Sequence, residues 1–134
     1  MKTFESDAHT GQEYLDMGVV STLAFGPILI RDGELADVDK DEYNHKEPRS
    51  CIGIIEPGHY VGLLVEGRKD HSEGATLTTC ASLLYDMGCS DAINLDGGNT
   101  AAMLFMGECV QLSERGGIDV NARAIPDILC VGRY

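Results

Sequence analysis

The stretch RSCIGIIEPGHYVGLLVEG, residues 49–67, decides the fold. RSCIGIIE and YVGLLVEG are two β-rich apolar runs, and so short a connection as Pro57-Gly58-His59 between them reads as an antiparallel hairpin. Downstream the period changes. Leu77, Cys80, Ala81, Leu84 and Met87 fall at helical spacing and make one buried stripe, with Thr76 as the cap at its start and Gly88 as its stop. That predicts one main helix over about 75–88.

Further along, DAINL reads as a strand, TAAMLFMG as a second extended run beyond a glycine turn, and AIPDILCVG as a final strand. Upstream, VVSTLAF and ILIRDG read as strands or extended segments, Asp32-Gly33 is a turn pair, and GQEYLDMG is a short helix ending at Gly18. The order predicts an α/β (α+β) class: a mixed β-sheet with the main helix packed on it, in a single domain spanning residues 1–134.

Charge narrows the partners. Ten Lys and Arg stand against 22 Asp and Glu, for a net charge of −12, which argues against a nucleic-acid backbone or an anionic membrane surface. No run approaches the roughly 20 apolar residues of a membrane span, and residues 1–18 lack the apolar core of a secretory signal. As written the chain reads as cytoplasmic, and as secreted if an upstream segment has been lost. Much of the excess acid lies in residues 32–47, where Asp32, Glu34, Asp37, Asp39, Asp41, Glu42 and Glu47 face Lys40 and Lys46. This is a solvated loop without calcium-loop spacing. The five scattered cysteines read as small buried apolar residues, and the four histidines are isolated, so neither a metal nor a cofactor is expected.

Two constellations carry the chemistry. In INLDGGNTAAML, Asp96 follows a buried strand, and Gly97 and Gly98 open backbone angles with which successive N–H groups can form an anion nest beside Asn99 and Thr100. An ordinary Asp-Gly turn is the equal alternative. In EGRKDHSEGATL, Arg68, His71, Ser72 and Glu73 lie between a strand and a helix start, a place suited to a phosphate oxygen pair. The competing reading is a set of solvated turn residues. Arg49 and Arg123 each sit beside a predicted strand in apolar company, where an arginine pairs either with a bound anion or with an Asp or Glu of the chain.

Taken together, PRSCIG (48–53), EGRKDHSEGATL (66–77), INLDGGNTAAML (93–104) and ARAIPDILCVG (122–132) resemble, in order and spacing, the successive motifs of the phosphodiester glycosidase family. The resemblance covers roughly residues 18–132. It implies a mixed α/β domain that cleaves a sugar-1-phosphodiester bond of the N-acetylglucosamine-1-phosphodiester kind, with a phosphorylated glycan as partner. Arg49 matches the arginine of the family's PRT motif, Arg68 that of DGR, Asp96-Gly97-Gly98 the DGG of LDGGGS, and Arg123 the arginine near the last strand. Ser72-Glu73-Gly74 matches a Ser-x-Gly-like turn. Glu66, Ser50 and Asn99-Thr100 depart from the usual Asp, Thr and Gly-Ser. The family's upstream Asn-Gly-Gly-Phe-like region has no counterpart, so the chain resembles the C-terminal portion alone.

From the resemblance, Asp96 is expected as nucleophile or base and Glu73 as its acid/base partner. Arg49, Arg68 and Arg123 are expected to hold phosphate, with Gly97, Gly98, Asn99, Thr100, His71 and Ser72 around it. Two competing expectations are a glycan-phosphate-binding module without turnover and an assembly role in which an open sheet edge makes a homo-oligomer.

Overall fold

The computed structural model describes residues 1–111, 124–125 and 128–132. Thr10 caps the short helix Gly11–Asp16 (α1) in a reciprocal capping box with Glu13. Asp32 and Gly33 both take positive φ, 49° and 81°, and fold Ile28–Arg31 (β1) back onto Glu34–Leu35 (β2). Arg49–Glu56 (β3) and His59–Val65 (β4) form the expected hairpin about Pro57-Gly58. The main helix, Leu77–Asp86 (α2), precedes Asp91–Asn94 (β5), which enters between the two hairpins and gives a sheet of order β2-β1-β5-β3-β4. All four pairings in it are antiparallel.

α2 covers one face of this sheet. Thr76 Oγ1 accepts the Thr79 N–H at 3.1 Å, and the stripe that follows, Leu77, Cys80, Ala81 and Leu84, meets Leu29, Ile30, Cys51 and Ala92 in one buried cluster. Each fully buried Leu or Ile there contributes about 1.5–3 kcal/mol. Contact with the Cys80 thiol, followed by burial, pushes the Cys51 thiol upward, so Cys51 stays neutral in the core. Asp91, next to Ala92, turns the other way by strand alternation and is almost fully buried. Its Oδ1 accepts from Thr3 N (3.3 Å) and Thr3 Oγ1 (3.0 Å), and Lys2–Asp32 and Glu5–Arg31 ion pairs flank this anchor.

Some expectations are not met. VVSTLAF forms no strand. Pro27 has no N–H to continue a ladder upstream of β1, and its carbonyl is taken by Asn94 N at 3.1 Å. TAAMLFMG does not re-enter the sheet, because β5 already has β1 and β3 on its two sides; only Leu104–Phe105 (β6) pairs, with Glu108–Cys109 (β7), in a separate hairpin. Of the expected last strand, residues 124–125 and 128–132 are exposed and irregular, and Pro126 and Asp127 lie outside the described residues. Met87 caps the end of α2 and is exposed, and Gly88 follows with φ of 86°. Cys51, Cys80 and Cys89 are core residues as expected, whereas Cys109 is half-buried and Cys130 exposed.

One knot of backbone positions the site. Glu47 exchanges both hydrogen bonds with Ala75, N to O at 3.1 Å and 3.0 Å. A Cβ on Gly74, whose φ is 101°, would lie 2.5–2.7 Å from Glu47 backbone atoms, one on Gly67 2.8 Å from Pro48 N and Gly74 Cα, and one on Gly97 2.8 Å from Pro48 O. Three glycines distant in sequence are therefore required by contact with one dipeptide.

Gly74→Ala is expected to cost about 3 kcal/mol, the upper end of ordinary substitutions, read as a fall in the urea midpoint with an unchanged slope. Gly58→Ala is the control, since Gly58 also has positive φ but open space around its Cβ position, and should cost about 1 kcal/mol. Equal losses at the two positions would contradict the crowding. Thr76→Ala should cost about 1 kcal/mol through the lost cap, and a Thr76→Ser variant should retain most of it.

Candidate active site

The register of β3 against β5, Cys51 opposite Asn94, carries on past the end of the strand. Leu95 N donates to Ser50 O at 2.8 Å and Gly98 N to Pro48 O at 2.9 Å, so Asp96 leaves the sheet opposite Arg49 and the bend lies on Pro48. Asp96 Oδ1 accepts from Gly97 N at 2.9 Å. Gly98–Thr100 form one 3-10 turn, closed by Thr100 Oγ1 donating to Gly97 O at 2.7 Å. The expected anion nest is therefore not open at the two glycines: Gly97 N is bonded to the acid itself and Gly98 N to Pro48.

Arg68 reaches this bend from the other side. Its φ is 57°, a left-handed backbone that costs a non-glycine residue about 1–2 kcal/mol, and it follows the crowded Gly67. The side chain, half exposed, is held at two points: Nε donates to Glu47 Oε2 at 2.5 Å and Nη1 to Asn99 Oδ1 at 3.0 Å. Nη2 lies over Gly98, 3.7 Å from where a Cβ would stand. The bond from Arg68 holds the Glu47 carboxyl below its usual range, and the same bond raises Arg68 further. Glu47 Oε1 also lies 3.3 Å from His45 Nε2.

The remaining residues divide. His71 Nε2 meets Glu66 Oε2 at 2.6 Å, and Ser72 Oγ donates to Glu66 O at 2.6 Å, which folds residues 66–72 into a closed loop beside Arg68. Glu73 stands on the surface, 78% exposed, where the bond from Lys46 Nζ at 2.5 Å lowers its carboxyl. Arg49 is buried, and its partners are backbone carbonyls: Nε donates to Ala75 O at 3.2 Å and Nη2 to Tyr43 O at 2.6 Å and His45 O at 2.7 Å. It ties the 43–45 segment and the start of α2 beneath the site. Arg123 lies outside the described residues. Among the described residues no group of three or more His, Cys, Asp or Glu side chains is placed to hold a metal ion.

Thus Asp96, Gly97, Gly98, Asn99, Thr100 and Arg68 come together, and His71 and Ser72 support the same loop through Glu66. Two residues carry the arrangement without any signal of their own in the sequence. Glu47 sits in an acidic run whose other members face solvent or surface partners, and only its position immediately before Pro48 sets it apart. Asn94, almost fully buried, holds Gly26 O through Nδ2 at 2.8 Å and so ties the 26–27 segment to the strand that presents Asp96.

Comparison with known proteins agrees with this convergence of motifs. The chain is 28% identical over 134 residues to the SPbeta prophage-derived uncharacterized protein YomE of Bacillus subtilis (strain 168), a match over 95% of this chain and 21% of that protein. The catalytic domain of zebrafish N-acetylglucosamine-1-phosphodiester alpha-N-acetylglucosaminidase, auto-inhibited by its pro-peptide, superposes with a TM-score of 0.56 at 25% identity, over 73% of this chain and 38% of that one. A hypothetical protein from Synechocystis superposes with a TM-score of 0.51 at 25% identity, over 63% of this chain and 17% of that one. The chain thus spans well under half the length of each. The sequence profile described as Phosphodiester glycosidase matches residues 3–132, and the chain belongs to the phosphodiester glycosidase family.

Proposed function

We propose that this chain hydrolyses a sugar-1-phosphodiester, with Arg68 holding the phosphate at the Asp96–Thr100 bend. The observation that carries the reading is the meeting of the Arg68 guanidinium with Asn99 and Gly98, beside a strand-end carboxylate, in a member of this family. Cleavage at an anomeric carbon builds positive charge on the sugar and negative charge on the departing phosphate. A phosphate monoester leaves readily, so a strong general acid is not required, and guanidinium donors stabilise the charge that grows on its oxygens. Asp96 is assigned as the nucleophile. Glu73, expected as the acid/base partner, has no role in this proposal, since it stands 78% exposed in its pair with Lys46 and is not among the residues that meet at the bend. Arg49 contributes by fixing the 43–45 segment under the site, and Arg123 remains a second candidate for the phosphate.

One observation favours a second reading. Because the chain matches only 38% of the zebrafish domain, a module that binds a glycan phosphate without turnover is the natural competitor. The two separate on one substrate, an N-acetylglucosamine-1-phosphodiester: the proposal expects release of free N-acetylglucosamine, and the competitor expects calorimetric binding with none released. In the hydrolytic case Asp96→Asn should lower kcat by about two orders of magnitude or more with far-ultraviolet circular dichroism unchanged. Near-normal turnover in that variant would remove Asp96 from the chemistry.

A further inference from the structure

Glu47 belongs by sequence to an acid-rich surface segment, yet its side chain is only 22% exposed and its backbone is bonded in both directions to Ala75. The peptide is further pinned by Gly74, which leaves no room for a side chain against it. From this fixed base the carboxylate takes Arg68 Nε at 2.5 Å, while Asn99 takes Nη1 at 3.0 Å from the opposite side. A guanidinium held at Nε and Nη1 has its plane and its direction both set, whereas one held by Asn99 alone turns freely about that bond.

We infer that Glu47 is a positioning residue for phosphate binding: it fixes the Arg68 guanidinium so that its Nη edge faces the Asp96–Thr100 bend. The inference rests on the proposed phosphate role of Arg68. It makes a prediction opposite in sign to charge alone. A carboxylate beside an anion site repels the anion, so on charge grounds its removal tightens phosphate binding. Positioning requires that removal loosen it, because a mobile guanidinium loses the two-point geometry that phosphate oxygens need.

Calorimetric titration of the full chain with inorganic phosphate separates these. Glu47→Gln, which removes the charge, and Glu47→Asp, which keeps the charge but shortens the reach, should each weaken phosphate about fivefold. Arg68→Ala should abolish measurable binding. Tighter or unchanged binding in a folded Glu47→Gln protein overturns the inference. Should Glu47→Gln not fold, unchanged affinity in Glu47→Asp overturns it equally. A lower thermal midpoint with phosphate affinity intact marks a structural role only, and also overturns it. If Arg68→Ala binds phosphate like the parent chain, the functional reading beneath it falls as well; if Arg68→Ala loses binding while both Glu47 variants keep it, the positioning role falls alone.

Discussion

The contact on which the site depends is the packing of backbone against Glu47 and Pro48. Gly67 and Gly74, from the two ends of the loop between β4 and α2, and Gly97, from the bend after β5, each approach this dipeptide more closely than any side chain permits. The approach is what turns an eight-residue strand and its neighbours into a place where distant motifs meet. Pro48 O accepts from Gly98, Glu47 O accepts from Ala75, and β3 begins at the next residue. A single crowded peptide thereby sets the height of the Asp96 bend, the start of α2 and the exit of the Gly67 loop at once. Interiors packed this densely transmit small displacements, so none of the three can shift independently.

Arginine serves that geometry in two different ways. Arg49 is enclosed and its donors meet carbonyl oxygens, which carry partial charge and satisfy a buried guanidinium without a carboxylate. Arg68 is half exposed and is shared between a carboxylate and an amide oxygen at the bend. The motif pattern treats them alike, as two cations of one binding set. Burial separates them: the enclosed one organises backbone, and the one in contact with solvent remains accessible to a ligand.

What was legible in the sequence was local. The β3–β4 hairpin, the Thr76 cap, the α2 stripe and the Asp32-Gly33 turn each follow from a few neighbouring residues, and each is present. The errors arise where a segment's fate is decided by what already occupies the space beside it. TAAMLFMG has the composition of a strand, but both edges of β5 are taken, and VVSTLAF is cut off from the ladder by Pro27. The same limit applies to the site. Motif order placed Asp96 and Arg68 together, but it could not show that the Gly97 and Gly98 N–H groups are bonded within the protein or that Glu47 holds the arginine. The Gly98 and Glu47 bonds join residues more than twenty positions apart, which no single-segment pattern encodes.

The local pairing also bears on how the proposed phosphate site fits a chain of net charge −12. At physiological ionic strength fields decay over about 8 Å, so the exposed acids of the 34–42 segment act weakly on a site unless they adjoin it. Two of the acids beside the Arg68 loop have cationic partners, Glu47 with Arg68 and Glu73 with Lys46, and a third, Glu66, meets His71. These pairs lower the negative potential where the motifs converge without creating a basic patch. In the proposed function a phosphate is held by directed donors at short range and not by long-range steering, which makes the orientation of the Arg68 guanidinium matter. A site of this kind tolerates an acidic surface, but it cannot tolerate rotation of Arg68 away from the bend.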